Sequence, residues 1–126
     1  MEKEFNVLKC KKCGAMVMSF KDCNCDECGI MCCGEKMRPL ISNSVDASFE
    51  KHVPTYEIEQ DKVIARVNHV MEEEHYIEWI VYVTADSHEI RYFEPGMMAQ
   101  VEFKYVPASK LYAYCNKHGL WESEVI

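Results

Sequence analysis

Apolar and polar residues alternate through most of the later part of the chain, a pattern typical of β-strands with one buried face. Apolar side chains occupy every second position in residues 63–67, 77–83, 101–105 and 111–115. Turn-forming residues separate these runs at 59–61, 85–87 and 95–96. No stretch has a convincing helical period. Short alternating strands at this spacing predict an antiparallel β-sandwich.

Cysteines divide the chain into two regions, because seven of the eight lie before residue 34. Cys10 and Cys13 form a C-x-x-C-G motif, in which backbone amides point at the first sulfur and the glycine accepts a positive φ. A Cys-Cys-Gly sequence follows at 32–34. Four thiolates suit zinc or a single iron, and so short a segment needs a metal to fold. We expect a metal module over residues 1–38 and a β-domain over residues 39–126, joined at a proline and a Ser/Asn-rich run.

Three further cysteines, Cys23, Cys25 and Cys28, exceed what one tetrahedral site needs. Spacing alone does not decide whether they or Cys32 and Cys33 supply the second half of the site. The three can also be free thiols or ligands of a second metal. A structural zinc ribbon is the alternative to an iron centre in this module.

Charge and hydropathy exclude several classes of function. The formal net charge of −7 argues against nucleic acid as the main partner, since phosphate binding favours a basic face. The first residues are charged and lack the apolar segment of a secretory signal, and no apolar run is long enough for a transmembrane helix. We therefore expect a cytoplasmic protein with no membrane partner. In that reducing compartment, cysteines indicate metal ligands rather than disulfides.

Cys115 and His118 form the core of a second candidate site. The thiol lies three residues before the imidazole, in a turn that ends at Gly119. Such a turn can aim a sulfur and a nitrogen at one point. Thiolate combined with imidazole suits iron, zinc or copper better than magnesium or calcium.

The other histidines extend this site. His69 and His75 lie in phase with apolar positions, as does Cys115, so we expect them to point inward, where a polar group needs a partner. His52 lies in an extended segment before a proline. The fifth histidine, His88, is predicted to be exposed in a hairpin turn.

Three motifs in the second region resemble those of the superoxide reductases. They are Glu50-Lys51-His52-Val53-Pro54, His69 followed by Glu72-Glu73-Glu74-His75-Tyr76-Ile77-Glu78-Trp79, and Cys115-Asn116-Lys117-His118-Gly119-Leu120-Trp121. In the first region, Cys10, Cys13, Cys32 and Cys33 match the C-x-x-C-G … C-C-G pattern of desulforedoxin-type centres. Together they resemble the two-iron desulfoferrodoxins over essentially the whole chain. The cysteine-rich insert, Val70 in place of a frequent proline, and Glu74 depart from the family pattern, but none removes a ligand.

The resemblance implies a mainly β chain, in which a desulforedoxin/rubredoxin-like metal module precedes an immunoglobulin-like antiparallel β-sandwich. It implies a catalytic iron with four equatorial imidazoles, an axial thiolate and an open sixth position. The implied ligands are His52, His69, His75, His118 and Cys115. The implied ligands of a second iron, or a zinc, are Cys10, Cys13, Cys32 and Cys33. Glu50 matches a glutamate that closes the sixth position in the oxidised state, and Lys51 matches a lysine that attracts superoxide.

The same resemblance implies a reaction and partners. The reaction is the one-electron reduction of superoxide to hydrogen peroxide, with electrons from a small donor such as rubredoxin, in a homodimer. The metal must change its oxidation state by one electron, which zinc cannot do. Neutral imidazoles leave a ferrous centre positive, and a thiolate stabilises ferric iron. Lys51 would add a local positive charge to an otherwise acidic chain.

Three other interpretations stay open. The chain can be an iron electron carrier without catalysis, or a zinc-stapled binding module without redox chemistry. It can also be a cysteine hydrolase that uses Cys115 with His118. The hydrolase is disfavoured, because neither an orienting carboxylate nor an oxyanion site is evident.

Overall fold

The computed structural model describes residues 5–21 and 29–126. The chain divides into two compact units, one ending at Ile41 and the other running from Ser42 to Ile126. The division therefore falls three residues after the boundary expected at residue 38. The reason is local, since Arg38 and Pro39 pair with Lys9 and Leu8 and so belong to the sheet of the first unit.

The first unit consists of short strands. They are β1 (Asn6–Lys9), β2 (Met16–Ser19), β3 (Met31–Cys32), β4 (Glu35–Lys36) and β5 (Arg38–Pro39). Three of them form a sheet in the order β2-β1-β5, and β3 pairs with β4 as a hairpin. Each cysteine pair lies in a turn that needs glycine: Gly14 and Gly34 both have φ of 79°.

The second unit has seven strands and one short 3-10 helix, Phe49–Lys51. The strands are β6 (Thr55–Glu59), β7 (Lys62–Arg66), β8 (Ile77–Val83), β9 (His88–Tyr92), β10 (Gln100–Lys104), β11 (Ser109–Cys115) and β12 (Gly119–Val125). They form two antiparallel sheets, in the orders β10-β7-β6 and β12-β11-β8-β9. In residues 5–21 and 29–126, no helix is long and apolar enough to cross a membrane.

The core of the second unit lies between its two sheets. Val63, Ala65 and Phe103 contribute from the three-stranded sheet, and Tyr82 and Leu111 from the four-stranded sheet. Burying a side chain of this size stabilises a fold by about 1.5–3 kcal/mol. The mainly β fold and the antiparallel sandwich predicted from the alternation are confirmed.

Strand β8 departs from simple alternation. The sequence puts Ile77, Trp79 and Val81 in one phase, but Ile80 and Tyr82 are the residues that join Ile77 in the core cluster. The pairing of β8 with β11 shifts register after Tyr114↔Trp79, because Cys115 pairs with Ile77. The shift is a β-bulge, which reverses the facing of all later side chains. Trp79 and Val81 are buried as the alternation predicts, but beyond the bulge it is Ile80 and Tyr82 that join the core cluster.

His88 also differs from expectation. The sequence predicts an exposed turn residue, but His88 is the first residue of β9 and is half-buried. Its partner in the ladder is Val83, and the turn itself is closed by a hydrogen bond from Thr84 N to Ser87 O, 2.9 Å. The return strand therefore begins at His88 itself, directly after the turn.

Candidate metal centres

Five side chains of the second unit converge on one point. They are His52, His69, His75, Cys115 and His118, whose candidate ligand atoms all lie within 4.8 Å of one another. They come from three separate segments: the end of the 3-10 helix, the β7–β8 loop, and strand β11 with the turn that follows it. The structure thus brings together every residue predicted for the histidine–cysteine site.

The four imidazole rings form a closed circuit of edge contacts. Successive centroids are 4.8 Å apart for His52–His69, 4.5 Å for His69–His75, 5.0 Å for His75–His118 and 4.8 Å for His118–His52. Within it, His118 Nδ1 lies 3.1 Å from His52 Nε2 and 3.3 Å from His75 Nε2. The ring nitrogens therefore face a common centre.

Cys115 meets this circuit from the core. Its Sγ lies 3.4 Å from His69 Nε2 and 3.7 Å from His118 Nδ1, two rings that are not neighbours in the circuit. The residue is 0% exposed and belongs to the hydrophobic core cluster. The sandwich itself thus holds the sulfur in place.

Backbone carbonyls hold the outer nitrogens of two rings. His52 Nδ1 lies 2.6 Å from Ser48 O, and His69 Nδ1 lies 2.5 Å from Val70 O. A carbonyl only accepts, so each neutral ring donates from Nδ1 and keeps a lone pair on Nε2. Such outer hydrogen bonds fix the tautomer and orientation of metal-binding histidines.

Burial also favours the neutral, metal-binding form. Desolvation lowers the pKa of His52, of His69 and of His75 below the ordinary histidine value, and it is the largest cause in each case. The positive charge of Lys51 lowers the pKa of His52 further. These rings therefore stay unprotonated at neutral pH.

The donor set fits a metal cation. His52 Nε2, His75 Nε2 and Cys115 Sγ all approach His118 Nδ1, and a single proton can satisfy only one of these contacts. A cation at the centre can meet all five donors at once. One thiolate with four imidazoles suits iron, zinc or copper.

Trp121 supports the ring of His52 and the backbone of His118, a role that the sequence does not predict. The His52 ring stacks on its indole at 4.9 Å with an interplanar angle of 26°. The indole Nε1 donates to His118 O at 3.0 Å. Phe49 packs edge-on against the same indole at 5.2 Å. The motif C-x-x-H-G-x-W carried the signal, since a tryptophan in β12 reaches back over the turn that precedes it.

Glu50 and Lys51 lie beside the cluster, in the exposed 3-10 helix that leads into His52. The helix is closed by a hydrogen bond from His52 N to Phe49 O, 3.2 Å. A second lysine, Lys117, was not singled out as a charge. It is exposed and its positive charge lowers the pKa of His75, after burial and His118. Its position inside the C-x-x-H motif was the available signal.

A second cluster lies in the first unit. Cys10, Cys13, Cys32 and Cys33 have sulfurs within 4.8 Å of one another. Cys13 Sγ is 3.6 Å from Cys32 Sγ, and Cys32 Sγ is 3.9 Å from Cys33 Sγ. Cys13 N lies 3.5 Å from Cys10 Sγ, as expected for an amide that points at a sulfur in a C-x-x-C turn.

The protonation of these thiols also fits a cation. The Cys13 amide lowers the pKa of Cys10 to about 6, whereas hydrogen bonds with Cys13 and then Cys10 raise the pKa of Cys32 to about 12. The pKa of Cys33 is raised by the same two neighbours. Cys10 is thus a thiolate at neutral pH whereas Cys32 and Cys33 keep their protons, and a metal is needed to hold all four sulfurs as thiolates. The remaining candidates, Cys23, Cys25 and Cys28, lie outside the described residues.

Comparison with known proteins decides the family. The family model for desulfoferrodoxin matches residues 44–124. The chain belongs to the desulfoferrodoxin family. The desulfoferrodoxin of Syntrophotalea carbinolica is 37% identical, over 98% of this chain and 99% of that protein. The resemblance inferred from the motifs is therefore confirmed.

Relatives of this desulfoferrodoxin-family chain include proteins named for an activity. The superoxide reductase of Pyrococcus abyssi is 36% identical, over 65% of this chain and 91% of that protein. The crystal structure of the superoxide reductase from Treponema pallidum matches with a TM-score of 0.72 and 25% identity, over 95% of this chain and 98% of that one. The near-complete coverage extends the likeness to both units.

Proposed function

We propose that this protein is a superoxide reductase that reduces superoxide to hydrogen peroxide at an iron held by its second unit. The proposed ligands are His52, His69, His75, His118 and Cys115. One observation carries the proposal: five donors from three distant segments, one of them a thiol in the core, meet within 4.8 Å. The superoxide reductase names of similar proteins give the reaction class.

The balance of the reaction sets what the chain must provide. One electron and two protons convert one superoxide anion to hydrogen peroxide. A bound iron that alternates between ferrous and ferric states would supply the electron. The neutral imidazoles add no negative charge, so an anion is not repelled by them. The buried Cys115 thiolate would donate electron density to a bound iron and favour its ferric state, which would disfavour oxidation of superoxide.

Exposed charged residues beside the cluster would attract the substrate anion and control its access to the metal. Lys51 adds a positive charge near His52, and this attracts a small anion to an otherwise acidic chain. Lys117 acts in the same way near His75. Protons come from water ordered near Lys51. Glu50 is exposed next to Lys51, and its carboxylate would bind the metal in the oxidised state.

The first unit would bind a second iron, or zinc, through Cys10, Cys13, Cys32 and Cys33. If iron, this metal can relay electrons; if zinc, it is structural. The electrons originate in a small donor protein of the rubredoxin type. We also propose that the protein is a homodimer and that it is located in the reducing cytoplasm. Visible absorption of a ferric tetrathiolate, which zinc lacks, distinguishes the two metals.

The decisive experiment is stopped-flow mixing of reduced, iron-loaded protein with superoxide, together with the iron content. The wild type should be oxidised rapidly by one equivalent, with hydrogen peroxide as product. Cys115→Ser should abolish the rapid phase. Binding of azide to the oxidised protein separates this enzyme from a pure electron carrier, which has no open metal position. Rapid oxidation that survives Cys115→Ser contradicts the thiolate mechanism.

A further inference from the structure

The side chain of Asn116 makes the last hydrogen bond of the ladder that joins β8 and β11. After the bulge, Cys115 pairs with Ile77, and Asn116 N continues the ladder by donating to Tyr76 O at 3.3 Å. There β11 ends. The reciprocal bond comes from the side chain, since Tyr76 N donates to Asn116 Oδ1 at 3.0 Å. The other half of the same amide, Nδ2, donates to Glu74 O at 2.9 Å.

Only an amide of this length supplies both bonds. Tyr76 N can only donate and Glu74 O can only accept, so the orientation of the Asn116 amide is fixed by its partners. A carboxylate keeps the acceptor but places negative charge against the Glu74 carbonyl. An alanine loses both bonds.

The two partners of this amide flank His75. Glu74 immediately precedes that histidine and Tyr76 follows it, while Asn116 itself follows Cys115 and begins the turn to His118. One side chain therefore joins the segment that carries one candidate ligand to the turn that carries two others. The backbone of this segment is also restrained by the bridge Glu72↔His75, whose hydrogen bonds measure 3.0 and 3.1 Å.

We propose that Asn116 is a positioning residue that fixes His75 relative to Cys115 and His118 through its paired bonds to Tyr76 N and Glu74 O. The inference rests on the proposed function, because it treats those three side chains as ligands of one metal. Partners of this kind, one shell outside the ligands, affect metal affinity by about 10–100-fold in other sites.

Asn43 provides a matched control. It makes bonds of the same kind to β12: Asn43 N donates to Leu120 O at 2.9 Å, Glu122 N donates to Asn43 Oδ1 at 2.8 Å, and Asn43 Nδ2 donates to Glu122 O at 3.3 Å. None of these bonds reaches the segment of His75. A merely structural role for Asn116 would make the two asparagines equivalent.

The test measures iron release to a chelator and the thiolate-to-iron absorption band of the loaded full chain. Every chain, including the reference, carries Cys13→Ser so that the four-cysteine site does not contribute. Asn116→Ala should release iron about tenfold faster and shift the band. Asn116→Asp keeps the bond from Tyr76 N but loses the bond to Glu74 O, so its release rate and band shift should lie between those of the reference chain and Asn116→Ala. Asn43→Ala should lower the melting temperature but leave the band in place.

The outcome that overturns the proposal is an unchanged band and release rate in Asn116→Ala and Asn116→Asp. If Asn116→Ala does not fold, Asn116→Asp decides alone. A second readout needs no metal: the NMR resonances of the His75 ring in the metal-free chain should move in the Asn116 variants and not in Asn43→Ala. If the reference chain binds no iron at the five-residue cluster, the proposed function fails, and the ring resonances still decide the role of Asn116.

Discussion

The two units gather metal-binding side chains in opposite ways. In the first, the described cysteines lie in or directly beside tight turns between strands of two to four residues, and the buried apolar residues that the structure describes are Val7, Cys10 and Met37. In the second, a two-sheet core is already closed, and the cluster lies at its edge with Cys115 inside the core. The first unit is therefore expected to depend on its metal for folding, whereas the fold of the second unit holds the side chains of its site in place.

The charge of the two regions differs as well. Residues 5–41 carry six Lys or Arg and four Asp or Glu, whereas residues 42–126 carry seven and fifteen. The second region is therefore the more acidic of the two. If its substrate is the superoxide anion, as we propose, Lys51 and Lys117 would offset the general repulsion close to the cluster.

Removal of metal should have the largest effect and should separate the units. A chelator is expected to unfold the first unit, because structural zinc in small domains contributes about 10–16 kcal/mol of folding free energy. The second unit should keep its sheets. Amide hydrogen exchange resolved by residue measures both. Protection that persists over residues 6–19 after complete metal removal would break the comparison.

A core truncation should show the converse dependence. Leu111→Ala removes a side chain that is 0% exposed and should lower the unfolding free energy of the second unit by about 2–5 kcal/mol. Ile58→Ala, on an exposed position of β6, is the control and should change it by less than about 0.5 kcal/mol. Urea titrations of the metal-free chain test this. Equal losses for both variants would mean that the sandwich core is not what holds the unit together.

Lys51 should affect rate rather than stability. Lys51→Ala is expected to slow the bimolecular reaction with superoxide by about tenfold at low salt, since local charge steers small anions. The difference should shrink as ionic strength rises. Lys104→Ala, an exposed lysine of β10, serves as control and should retain the wild-type rate and salt dependence. An unaltered rate in Lys51→Ala would remove this residue from the mechanism.

The smallest effect concerns pH in the metal-free protein. Burial lowers the pKa of His52, His69 and His75, so the unfolded chain binds more protons than the folded one below the ordinary histidine pKa of about 6.5. Stability of the second unit should therefore be full above that value and decline as pH falls below it. Urea midpoints between pH 7.5 and 5 measure the decline. His75→Gln, which removes one of the imidazoles whose pKa is lowered, should reduce the slope of the decline.

The sequence alone determined the strands, the turns and the types of metal donor, because these depend on neighbouring residues and on side-chain chemistry. Alternation gave two antiparallel sheets, because every second side chain of a strand shares a face. The C-x-x-C and C-x-x-H spacings predicted turns that bring donors together, and the motifs identified the family. The donor types limited the metal to soft or borderline ions.

Tertiary structure decided what depends on backbone contacts between distant segments. The bulge opposite Cys115 reversed the phase of β8, and no residue in that strand signals it. The tautomers of His52 and His69 depend on carbonyls whose positions follow from the local backbone path. The same holds for Asn116, whose side chain completes a ladder only because β8 lies beside it. The sequence pattern predicts which residues can face a core or bind a metal. The folded chain sets the strand register that brings those residues within bonding distance of one another.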